Sequence, residues 1–347
     1  IIAVVFDISE RIEKFISKLS QWAFLNHQIS KKNIKKLTPA LREYLYNDFK
    51  KRDDELILTT IELKNTKMIN LYYQSNDFFI TNNIKENIEI GTITPDWTKG
   101  LRHNFKHEEI YDYVSWFFHF VEQYLKRAKY IEVMGAIALV YNIPTFFYTI
   151  SGNYVRYSYE DGVKSILDKN SNNKIDMLSR KQILFTRILS LTNGYGHFIH
   201  KMLFNYIKAL ELNNANFLEE TMTALDKTVN IAEQIIRERY GINEKNQKLA
   251  LCQFLSLSRI ETKSIEHLYQ LRNYFGSHPS ASKWWDFAEL YPESEEIFFD
   301  VVSKIIIKIL ELESKNRIVV NNPDSWHNWF FDNWKMLWDT VWFEKIP

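Results

Sequence analysis

Residues 295–312 carry the tightest constraint in the chain. Glu296, Asp300, Lys304 and Lys308 recur every fourth residue, and almost everything between them is Ile, Val, Phe or Leu. On an α-helix a step of four residues drifts slowly round the axis, so the four charges form one narrow stripe. A helix with so thin a polar face is buried on most sides, in the centre of a bundle or at a subunit interface. The carboxylates precede the lysines, the favourable order for i,i+4 pairing.

The neighbouring segments extend this into a helical second half. Residues 178–211 are apolar at helical spacing, with Gly194 and Gly196 as a weak point. A helix over 217–240 closes at Gly241, and shorter helices are expected near 246–256 and 263–275. The polar stretch LDKNSNNKID reads as a linker, placed at 166–177. Before it, strands and helices mix. IIAVVFDIS reads as a buried strand feeding a helix, and 56–63, 68–73 and 88–93 read as strands. Residues 108–142 read as a helix broken near Gly135, and a strand or hairpin follows in IPTFFYTISGNYVRYSY. The expectation is an α/β domain over 1–165, serving as a sensor or partner-binding unit, then an all-α domain over 178–347, and a mostly helical chain overall.

Composition narrows the function classes. The 347 residues are 46% hydrophobic and 15% aromatic, enough for a real core. Lysine and arginine total 44 against 43 acidic residues, a net charge of +1, so any nucleic-acid binding must rely on a local basic site. The single cysteine, Cys252, allows no disulfide within the chain and fits a reducing, cytoplasmic setting. No apolar run of about 18 residues is present, so no membrane span is expected. The chain opens without methionine or a basic leader, which reads as a trimmed start with no signal peptide.

The segment LRNYFGSHPS (271–280) interrupts the helical half with two cationic side chains. On an unbroken helix Arg272 and His278 would stand about 120° apart. Gly276 weakens the helix and Pro279 disfavours helical geometry at His278, so a turn can fold the imidazole back toward the guanidinium. Arginine grips phosphate through a planar fork. Histidine moves protons near neutral pH. Together they suit cleavage of RNA, whose 2′-hydroxyl is its own nucleophile. The bland reading makes Asn273 and Arg272 helix-capping residues and His278 a turn residue.

An arginine, a polar residue directly after it, and a histidine a few positions on, inside an all-α domain with a long closing helix, resembles the HEPN superfamily. Arg272, Asn273 and His278 match its motif, over a region of roughly 178–345. The resemblance implies a metal-independent endoribonuclease with a composite active site in a homodimer, acting on single-stranded RNA as a toxin or antiviral abortive-infection effector. The insertion PSASKWWDFAELYPES before the next strong helix departs from that pattern. A second arginine–histidine pair, Arg102 and His107, precedes a helix whose Glu108 and Glu109 suit a helix start better than an anion site.

IEIGTITPDWTKG (88–100) is a strand running into a polar turn and is similar to the strand-and-loop of CARF Rossmann sensor domains, which are CRISPR-associated. The resemblance implies a cyclic oligoadenylate activator at Thr94, Thr98 and Lys99, although Asp96 and Trp97 stand where that loop is glycine-rich. His197 and His200 lie one helical turn apart without a further metal ligand in register, so no metal or cofactor is expected. The tryptophan-rich stretch 326–342 reads as a packing face of a helix that starts after Asp324-Ser325. Against the nuclease stand two other readings: a non-catalytic dimerisation or interaction module, and a ligand sensor regulating another chain.

Overall fold

The computed structural model describes residues 2–27, 31–63, 66, 69, 71–75, 77–82, 87–98, 101, 108–145, 154–158, 179–192, 197–276, 294–314 and 326–341. Two helices open the chain, α1 (Ile2–His27) and α2 (Lys31–Glu43), followed by a π turn (Tyr44–Asp48) and a 3-10 turn (Phe49–Asp54). Strands β1 (Glu55–Leu63), β2 (Tyr73–Gln74), β3 (Phe78–Asn82) and β4 (Ile88–Pro95) come next. Helix α3 (Glu108–Tyr141) separates them from β5 (Tyr154–Ser158). Every element described after that is a helix: α4 (Arg180–Thr192), α5 (His197–Asn214), α6 (Leu218–Tyr240), α7 (Gln247–Phe254), α8 (Arg259–Gly276), α9 (Glu295–Ser314) and α10 (Trp326–Val341).

The chain is mostly helical, as expected, but four local readings change; in 68–73, of the described residues only Tyr73 is in a strand. The opening IIAVVFDIS is the start of α1, not a strand. A short apolar β-branched run looks the same in a buried strand and a buried helix, and here the helical spacing of Ile12, Phe15, Ile16 and Leu19, all buried, continues it. The first half does mix strands and helices, but its sheet is not the parallel one that the Rossmann resemblance implies. Its strands lie in the order β2-β3-β4-β1-β5, and every pair is antiparallel. Parallel neighbours need a crossover of a dozen or more residues, and among the described residues no helix lies between β1 and β4 to supply one. Finally, Gly135 does not break α3, which runs unbroken for 34 residues, about 51 Å. A Cβ at Gly135 would stand 2.9 Å from Leu203 Cδ2, so the glycine lets α5 approach α3 closely.

Two hydrophobic clusters hold the molecule. One joins the inner sheet face (Ile61, Ile80, Ile90), the second half of α3 (Tyr130, Val133, Ile137) and the bundle of α4 to α9. In it, α9 buries Phe298, Val302, Ile305, Ile306 and Ile309, as its thin polar stripe demands. The other joins α1, α2, Trp97, the first half of α3 (Phe117, Phe118, Val121) and α10. It is aromatic: Phe330 lies 5.3 Å from Phe15, 5.2 Å from Phe49 and 5.5 Å from Trp97, ring centre to ring centre. The expected linker, 166–177, falls outside the described residues, and both clusters draw side chains from either side of it. Among the described residues no helix is long and apolar enough to cross a membrane.

Candidate functional site

Helix α8 delivers the leading candidate. Its start is a capping box: Glu261 N–H donates to Ser258 Oγ, and Ser258 N–H returns a 2.7 Å bond to Glu261 Oε2. The helix runs to Gly276, so Arg272 and Asn273 occupy its last turn. Arg272 is about one-third exposed and packs over α6. Its Nη1 donates to Asn273 Oδ1 at 2.7 Å, and its Nε lies 3.5 Å from Asp226 Oδ2. Among the described residues Nη2 has no hydrogen-bond partner. His278 lies outside the described residues, and the convergence of the two cations is not visible in the structure.

Asp226 is the residue that sequence reasoning missed. Its side chain is 2% exposed on the inner face of α6. Asn230 Nδ2 donates to its Oδ2 at 3.0 Å, and Lys248 Nζ, from α7, stands 3.2 Å from its Oδ1. Lys248 also donates to Asn230 Oδ1 at 2.7 Å and Glu233 Oε1 at 2.8 Å, and it lies 5.0 Å over the Tyr269 ring. An ammonium has three hydrogens, and three acceptors claim them. Lys248 is thus a structural cation, while Arg272 keeps donors to spare.

The other sequence candidates fare differently. Thr94 is buried in β4, and Thr98 donates its hydroxyl to Asp96 Oδ1 at 2.8 Å. Lys99, Arg102 and His107 lie outside the described residues. His200 turns inward, its Nε2 2.9 Å from Glu132 Oε1 of α3. The thiol of Cys252 is buried, and burial pushes its pKa up, away from thiolate chemistry. Among the described residues no group of three or more His, Cys, Asp or Glu side chains is placed to hold a metal.

Two more features lie away from α8. Lys129 of α3 pairs with Glu132 and with Asp77 before β3, all three largely buried between the sheet and the bundle. A cavity of about 500 Å³ opens between the end of α3, α5 and the first turns of α9, with Asn142, Asn213, Glu295, Glu296 and Asp300 over a floor of Leu210. It holds none of the candidate site residues, although Glu296 and Asp300 of the α9 charged stripe line it.

Comparison with protein families, with curated proteins and with solved structures yields no match.

Proposed function

We propose that the protein is an endoribonuclease that cleaves single-stranded RNA by transesterification, with Arg272 as the phosphate-binding group. The observation behind this is the state of Arg272: one-third exposed, oriented on two sides by Asn273 and Asp226, with Nη2 unclaimed. A guanidinium held this way offers N–H donors to a phosphate without reorganising first. In the proposed reaction the 2′-hydroxyl loses its proton and attacks the adjacent phosphorus. The phosphorus–O5′ bond breaks, leaving a 2′,3′-cyclic phosphate and a 5′-hydroxyl. Arg272 stabilises the charge that gathers on the phosphoryl oxygens, and His278 transfers the proton. Pairing of two copies would bring two such motifs to one site. A role in antiviral defence or as a toxin rests on the HEPN resemblance alone. A cyclic oligoadenylate activator at Thr94, Thr98 and Lys99 rests on the CARF resemblance instead, and the sealed Thr94 side chain would require the end of β4 to open first.

A second reading has its own support. The charges round Asp226 cancel: two carboxylates, Asp226 and Glu233, face two cations, Lys248 and Arg272. Such a neutral cluster also serves as a clamp between α6, α7 and α8 in a non-catalytic interaction module.

The test is incubation of the purified chain with single-stranded RNA in the presence of a chelator, beside Arg272→Ala and His278→Ala. Products ending in 2′,3′-cyclic phosphate, absent with either variant, are expected. Cleavage that persists in Arg272→Ala, or none in any preparation with or without cyclic oligoadenylate, overturns the nuclease reading in favour of the clamp.

A further inference from the structure

We propose that Asp226 is a positioning residue for the candidate nuclease site, setting the angle at which Arg272 meets a phosphodiester. This rests on the nuclease reading of Arg272. The geometry forms a hierarchy. Lys248 and Asn230 each hold one oxygen of Asp226, and both are anchored within α6 and α7, so the carboxylate is fixed before Arg272 is considered. The Arg272 Nε edge then faces that carboxylate, and Asn273, the next residue on α8, takes one Nη1 hydrogen. Among the described residues, what remains is the end of the fork: the second Nη1 hydrogen and both hydrogens of Nη2. That end is what a phosphate engages in a two-bond contact.

The contact between Asp226 and Arg272 links two helices, so the guanidinium plane follows α6 as well as α8. A side chain as long as arginine has many rotamers, and without the carboxylate it would sample them. Asp226 is sealed from solvent and lies behind the arginine, so it acts on substrate only through Arg272. Removing its charge while keeping its shape separates orientation from packing. Asp226→Asn should lower kcat by about tenfold to a hundredfold, the scale expected for misplacing a catalytic group by an ångström. KM should change little, because Arg272 still carries its charge.

The experiment uses the full chain in four forms: wild type, Asp226→Asn, Asp226→Glu and Gly135→Ala. The last lies in the α3–α5 contact and controls for lost stability. Steady-state cleavage of single-stranded RNA gives kcat and KM, and the ¹⁵N–¹H signal of Arg272 Nε reports its order without needing activity. The expected result is a fall in kcat for Asp226→Asn well beyond that of Gly135→Ala, partial recovery in Asp226→Glu, and broadening of the Arg272 signal only in Asp226→Asn. Equal kcat in Asp226→Asn and Gly135→Ala, or an Arg272 signal unchanged by Asp226→Asn, overturns the proposal. If wild type cleaves nothing while Asp226→Asn still releases the Arg272 signal, Asp226 orients the arginine and the nuclease reading alone falls. Should Asp226→Asn not fold, Asn230→Ala replaces it: it removes a hydrogen bond from Asp226 at an exposed position, and an intermediate loss of kcat is expected, with unchanged kcat the overturning result.

Discussion

Glu132 Oε1 lies 2.9 Å from His200 Nε2, while its Oε2 lies 3.2 Å from Lys129 Nζ. Each oxygen of one buried carboxylate therefore serves a different partner, one on α5 and one on α3 itself. Lys129 extends the chain of contacts to Asp77, 3.5 Å away at the entry to β3, and rests 4.8 Å over the Phe78 ring. Sheet, long helix and bundle meet at these four side chains.

The first prediction concerns that meeting point. Lys129→Met strands Glu132 and Asp77 without their cation and should cost roughly 3–5 kcal/mol in urea unfolding at pH 7. Adding Glu132→Gln to Lys129→Met should recover part of it, because the uncompensated charge is gone. Burial pushes the Glu132 carboxyl up, but Lys129 and then His200 outweigh it and hold it below the ordinary 4.5. The sign follows: this contribution is complete above about pH 4.5 and is lost as pH falls through the lower, folded-state value. Equal unfolding midpoints for Lys129→Met and wild type at pH 7 would count against the network.

Glu211 behaves in the opposite sense. Burial pushes its carboxyl up to about 7, and among the described residues its Oε1 is sealed without a hydrogen-bond partner. The folded chain then holds a proton that the unfolded chain has released, so stability falls as pH rises from about 4.5 to about 7. Glu211→Gln should flatten that slope and stabilise the protein at pH 8 by on the order of 1 kcal/mol, with no gain at pH 4. Chemical denaturation at the two pH values checks it.

At Gly135 the prediction is steric. Alanine would bring a Cβ to 2.9 Å from one Leu203 methyl carbon and 3.1 Å from the other, in a fully buried contact. Gly135→Ala should destabilise by about 1–3 kcal/mol, although alanine is the better helix former. Combining it with Leu203→Ala, which opens the space, should cost less than the two changes summed. Thermal melts of the four proteins close the cycle.

The start of α8 offers an acid-range test. Lys304 first, then the Ser258 N–H, holds the Glu261 carboxyl down at about 2. Its depressed value means a contribution present above about pH 4.5 that fades as pH drops toward 2. Glu261→Gln should cost about 1 kcal/mol at pH 7, the scale of a lost cap, and nothing at pH 2. Circular-dichroism melts at both ends of the range read the difference.

How much of this was legible beforehand depends on distance along the chain. Local periodicity revealed α9, α6 with its left-handed Gly241 cap (φ 69°), and the β1 and β4 strands. It missed β3, where Phe78–Asn82 shows only five residues of pattern, and it misread the opening of α1. Arg272 stood out because its motif is contiguous. Asp226 did not, because its partners come from three helices and nothing local marks an acid as the hub of a cluster. The Asp77–Lys129–Glu132–His200 contacts were hidden for the same reason: His200 sits 68 residues from Glu132. Its spacing from His197 carried no hint of this, because the partner is a carboxylate on another helix.

The aromatic cluster has a consequence for synthesis. Phe15 needs the rings of Phe330, Phe331 and Trp334, and Arg11 is bound to Asp332, which lies 321 residues later. A nascent chain therefore makes α1 and the Phe49 turn, and then the α3 rings that pack on them, well before the α10 rings that complete the cluster. Until α10 arrives, those rings are open to any chaperone that binds exposed aromatics, and a message truncated before residue 326 would yield a polypeptide unable to close its first core.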